Sequence, residues 1–144
     1  MAELTDADLK AKKKIYGLNL TNIVICTRRQ QSWTEEKAKD AERWYKHFLW
    51  MCYMNGRRPL AIPGSEADEV WHNHILDTVN YRRVCDDIFG GYLDHQALAL
   101  DGEPTAEQIA AIETTRKLSS ELLVDEVMPD SITPCGCPPG GGTG

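Results

Sequence analysis

Apolar side chains recur at spacings of three and four along most of the first 127 residues, and polar or Gly/Pro punctuation divides that pattern into helical segments. The first runs from about Thr5 to Tyr16, with Thr5 or Asp6 as N-cap and Leu9 and Ile15 set among lysines. The stretch Leu18 to Thr27 is too short for periodicity to separate a buried strand from a helix. With no second convincing strand to pair with it, helix is the better expectation. Ser32 to about Asn55 is a stronger case. Ser32 and Glu35 have capping-box spacing, Ala38, Ala41, Tyr45, Phe48, Leu49 and Cys52 follow on one face, and Asn55-Gly56 supplies a left-handed stop.

Arg57 to Gly64 (RRPLAIPG) holds two prolines and reads as an irregular connector. Ser65 then opens a helix expected to run unbroken to Phe89, with Asp68 at capping-box spacing and Gly90-Gly91 as its end. A last helix starts at Thr105, carries acidic Glu107 in its first turn and reaches about Val127. Ile109, Ile112, Leu118 and Leu122 are expected to face inward. The fold class predicted is all-α, a small helical bundle over residues 1–128. Residues 129–144 form a Cys/Pro/Gly-rich tail expected to be flexible or held only by a partner.

At 144 residues, with 42% hydrophobic and 26% charged side chains, the chain can bury a core without help from disulfides. Its charge of −6 is placed unevenly: the acidic excess lies entirely beyond residue 100, where Arg116 and Lys117 are the only cations. That balance argues against nucleic-acid binding, which needs cationic surface against phosphate. The basic run Lys10, Lys12, Lys13 and Lys14 reads as a solvated helix face. No segment has the length and apolarity of a membrane span, and the first eight residues have no apolar signal core. The expected compartment is therefore the cytoplasm, with the five cysteines reduced.

The chemistry concentrates in Asp68-Glu69-Val70-Trp71-His72-Asn73-His74-Ile75-Leu76-Asp77-Thr78 and the later His95. Neutral imidazole is the commonest metal ligand, and carboxylates are compatible partners. On a continuous helix His72 and His74 point about 160° apart, so one ion cannot take both. Asp68, His72, Ile75 and Val79 would share one side, and His74, Thr78, Tyr81 and Cys85 the other. A metal site therefore needs ligands from elsewhere, and His95 and His47 are the candidates. The expected set is His72 and His95, supported by Asp68 and His47, with zinc ahead of iron or copper. The competing reading makes the histidines buried hydrogen-bonding groups that fix the helix in the core.

His74 with Tyr81 would be the acid–base pair if the chain were an enzyme, but no complete catalytic signature is present. Cys85 has no neighbouring base in the sequence and reads as structural. Cys135 and Cys137, one residue apart in the tail, could chelate a soft ion if a partner or a histidine completed the site. The alternative function is an assembly or adaptor module whose acidic last helix and tail bind a partner protein.

The residues from Asp68 to Thr78, with Tyr81, Cys85, Phe89-Gly90 and His95 following, resemble the signature of the glycine-rich domain proteins of plants, with related single-domain proteins in bacteria and fungi. Trp44 to Leu49 and Pro63 are also similar, so the likeness spans about Trp44 to His95. It implies a helical domain and attaches no activity to it. By position it carries over Asp68, Trp71, His72, His74, Thr78, Tyr81, Cys85 and His95. The plant proteins also carry glycine-rich and RNA-binding segments; this chain has no such RNA-binding segment, and RNA binding is not implied for it.

Overall fold

A computed structural model describes residues 3–95, 103–129 and 132–134. Six helices make up most of the described residues, so the all-α expectation holds. They are α1 (Asp6–Tyr16), α2 (Thr21–Gln31), α3 (Glu35–Met54), α4 (Ser65–Leu76), α5 (Thr78–Phe89) and α6 (Ala106–Leu122).

Local chemistry explains most boundaries. Thr5 and Asp8 close a capping box on α1, and Thr105 and Gln108 close one on α6. The cap of α3 is Thr34, whose hydroxyl accepts the Lys37 N–H; Ser32 instead ends α2 in the left-handed conformation. At α4 the cap position belongs to Gly64, and Ser65 is the first helical residue. Gly56 and Gly90 take positive φ at the ends of α3 and α5.

Helix α3 is the central element. It packs against α1, α2, α4 and α6, and buries Trp44, Tyr45, Phe48, Leu49, Trp50, Met51 and Cys52. The lysines of α1 are partly engaged: Lys14 pairs with Asp87 at 2.9 Å, and Lys12 lies over the Trp50 ring.

The connector expected to be irregular is fully buried from Leu60 to Gly64, and Ala61–Pro63 forms a short strand, β1. Its antiparallel partner is β2 (Ile132–Pro134), in register Ala61↔Pro134, Ile62↔Thr133 and Pro63↔Ile132. The sequence reading left these tail residues unattached; pairing gives the buried connector the backbone partners that burial demands. The Ala61 N–H that would otherwise be orphaned goes to Thr115 Oγ1 of α6 at 2.8 Å.

That contact explains a second departure. Helix α6 turns Gln108, Ala111, Thr115 and Ser119 inward, while Ile109 is 47% exposed. Small side chains allow the close approach of β1, and the Thr115 hydroxyl supplies the hydrogen bond; of the aliphatic positions expected inward, Leu118 and Leu122 still pack against the core, Ile112 is half-buried, and only Ile109 is turned out. The third departure is at Asp77 (φ −84, ψ 71), where the expected single helix from Ser65 to Phe89 breaks into α4 and α5.

Candidate functional site

The break at Asp77 decides where the motif side chains go. His74 is wholly buried, and its Nδ1 lies 2.6 Å from the Tyr45 hydroxyl of α3. Its Nε2 lies 2.7 Å from Asn80 Oδ1. Facing a carboxamide oxygen, Nε2 carries the proton, so Nδ1 accepts from Tyr45. On a regular helix residues 74 and 80 would point about 120° apart and lie nearly two turns from each other, and this hydrogen bond could not form. Burial holds the His74 pKa below its ordinary value, against the opposing pull of Asn80 and Asp77.

Tyr81, on α5, stands edge-on to His74 with ring centres 5.0 Å apart. Its hydroxyl accepts the Trp71 indole N–H at 3.0 Å and donates to the Leu93 carbonyl. Each polar atom of the His74–Tyr81 pair is thus taken, which removes the lone pair that acid–base work would need. Cys85 is buried beside them, and burial pushes its thiol up, disfavouring the thiolate. Thr78, grouped with these residues on a continuous helix, is exposed at the start of α5. Val79 is 65% exposed, so the break also removes it from the row with Asp68 and His72.

A second cluster forms where the chain leaves α5. Gly90 turns it back in the left-handed conformation, Leu93 is buried, and His95 arrives at the first turns of α4. His95 Nε2 lies 2.8 Å from Asp68 Oδ1, with side-chain exposures of 8% and 19%. The carboxylate accepts the Nε2 proton and leaves Nδ1 as the lone-pair nitrogen. That Nδ1 is buried with no hydrogen-bond partner. The His95 ring packs on Trp71, centres 4.2 Å apart, and the His72 ring lies 5.5 Å away with its plane inclined by 29°. The half-buried His72 side chain forms no hydrogen bond among the described residues, so it is free to turn.

Three of the four side chains expected to hold a metal therefore meet, with a change of role: Asp68 orients His95, not His72. The fourth, His47, is a correction. Its Nδ1 lies 2.7 Å from the Tyr16 hydroxyl, and its Nε2 lies 2.6 Å from Glu126 Oε2. Arg43 Nε holds the same carboxylate oxygen at 3.0 Å. Helices α3 and α4 do pack as antiparallel neighbours, Tyr45 against His74 and Phe48 against Trp71, but His47 lies off that contact face and points to Tyr16 and Glu126 instead. Its role is to latch the segment after α6 onto α3.

Among the described residues, no group of three or more His, Cys, Asp or Glu side chains is arranged to hold a metal ion. Cys135 and Cys137 lie outside the described residues. No described helix is long and apolar enough to cross a membrane.

Sequence reasoning missed Tyr45 and Asn80 as partners of His74, and Leu93 as the acceptor for Tyr81. Tyr45 carried a signal, since a tyrosine on a buried helix face needs a partner for its hydroxyl. Asn80 carried none, because its partnership exists only through the break.

The family model described as UCP032817-like matches residues 16–127, which includes both clusters. No curated protein matches the chain, and no solved structure does.

Proposed function

We propose that this chain, which belongs to the UCP032817-like family, is a metal-binding helical domain whose ion is taken by His95 Nδ1 and His72. The observation that carries the reading is the buried, unpartnered Nδ1 of a histidine whose other nitrogen is fixed by Asp68. A carboxylate behind an imidazole is the usual way of setting the tautomer and raising the basicity of a metal ligand. The spacing agrees. Two imidazoles on one tetrahedral zinc, with Zn–N of about 2.0–2.1 Å, place their ring centres about 5 Å apart, and those of His72 and His95 are 5.5 Å apart.

His72 has to turn to aim a nitrogen at the shared point, and it has no hydrogen bond to lose. Two protein ligands leave the remaining positions to water or an incoming ligand, the arrangement of an open site rather than a closed structural one. Imidazole favours zinc over harder cations, with iron and copper behind it on availability and geometry. The free thiols of Cys26, Cys52 and Cys85 support a reducing compartment, the cytoplasm.

Titration of the metal-free chain with cobalt(II), followed by visible absorption, tests the proposal. One equivalent should bind, His95→Gln and His72→Gln should each abolish binding, and Asp68→Asn should weaken it by about 10–100-fold. Absence of stoichiometric uptake, or uptake indifferent to His95, would sink the reading. A second reading, an adaptor module binding a partner protein, is favoured by the exposed Ile109 on acidic α6 and the exposed Val124 and Val127 beyond it.

A further inference from the structure

Between the end of α3 and the turn after α5 lies a cleft of about 350 Å³. That is a small-molecule volume, at the lower end of ordinary ligand sites. Behind the cleft lie the buried side chains of Phe48, Cys52, Leu60 and Trp71, and the surface it exposes is more polar than apolar. Its mouth carries Arg57 and Arg58 against a single lining carboxylate, Asp94. Among the described residues neither arginine forms an ion pair. Two cations therefore face one acid at the rim of the cleft.

The placement of Arg57 is built rather than incidental. Its φ is +62, a left-handed conformation that costs an L side chain free energy and that Gly56 before it adopts freely. Its Nη1 donates to the Tyr92 carbonyl at 3.2 Å. Gly91 lacks a side chain at the very place the guanidinium occupies; a Cβ there would collide with Arg57 Nη1. An observed backbone outlier of this kind is a pointer to function when its side chain faces a cleft.

We propose that this cleft binds a small organic anion, its carboxylate taken by the guanidiniums of Arg57 and Arg58. A planar guanidinium fork matches a carboxylate bidentately, and Asp94 offsets only one of the two charges. The hollow is too small for a peptide segment. The inference is independent of the metal reading, although Trp71 is a wall common to both places.

The test uses the ¹⁵N-labelled full chain in the presence of EDTA, so that no metal takes part. 4-Methylbenzoate is titrated while the Trp71 indole N–H signal is followed, with neutral 4-methylbenzamide as the control. Saturable movement with the benzoate and at least tenfold weaker binding of the amide are expected. Arg57→Gln and Arg58→Gln should each weaken the benzoate by about tenfold or more, the worth of a charge-assisted hydrogen bond. Asp94→Asn should tighten it. Both arginines are exposed and unpaired, so their variants remain folded, which the unchanged remainder of the spectrum verifies. Equal binding of acid and amide, no saturable shift, or indifference to both arginines would overturn the proposal.

Discussion

Tyr45→Phe isolates the interaction on which the motif helix rests. The ring stays in place, so no cavity opens, and the change removes one hydroxyl 2.6 Å from His74 Nδ1. Both residues are 0% exposed, so no water reaches the abandoned nitrogen. Losing a net hydrogen bond costs about 0.5–1.5 kcal/mol, and leaving its buried acceptor unsatisfied costs about 1–3 kcal/mol, two descriptions of largely the same deficit. A loss of about 2 kcal/mol is expected. With an m-value of about 2 kcal/mol/M, the urea midpoint should fall by about 1 M at unchanged slope. Tyr92→Phe, on a side chain 47% exposed, is the matched control and should change stability by less than about 0.5 kcal/mol. If Tyr45→Phe behaved like Tyr92→Phe, His74 would not depend on Tyr45, and its assignment as a fully engaged core histidine would be wrong.

Other outcomes follow from the same two histidines. Burial lowers the folded-state pKa of His74 below its ordinary 6.5, so the unfolded chain binds more protons as the pH drops past that value. Stability should be level above about pH 6.5 and decline from there down to the folded pKa, and His74→Gln should flatten part of that slope in urea titrations run from pH 7.5 to 5. His47, also lowered by burial with Glu126 opposing, adds to the same slope. Glu126→Ala should cost about 1 kcal/mol and raise amide exchange over residues 123–128, since it leaves both His47 Nε2 and Arg43 Nε without their acceptor. Exchange confined to other regions would refute the latch.

Helix identity was legible because it depends on local chemistry. The capping threonines, the apolar faces of α1 and α3 and the stop at Gly90 are all set by residues within a few positions of one another. The start of α3 was misplaced by two residues: Ser32 was expected as its cap, but Thr34 takes that position and Ser32 ends α2. For the site, the sequence itself placed Asp68, His72 and His95 near one another through the predicted turn after Phe89, and the turn was sufficient because it too is local.

What tertiary structure alone decided are relations between distant residues. The break at Asp77 could not be read, because apolar spacing continues across it; it is held by His74 reaching Tyr45 across the core and Asn80 across the break. The inward face of α6 was set by β1, a neighbour more than forty residues away in the chain, whose unpaired Ala61 N–H needed the Thr115 hydroxyl more than the interface needed another isoleucine. His47 and Glu126 are 79 positions apart and meet because the chain leaving α6 lies against α3. Composition and periodicity state what a segment prefers, whereas an unsatisfied buried polar atom is a demand that only a particular arrangement of the whole chain can meet.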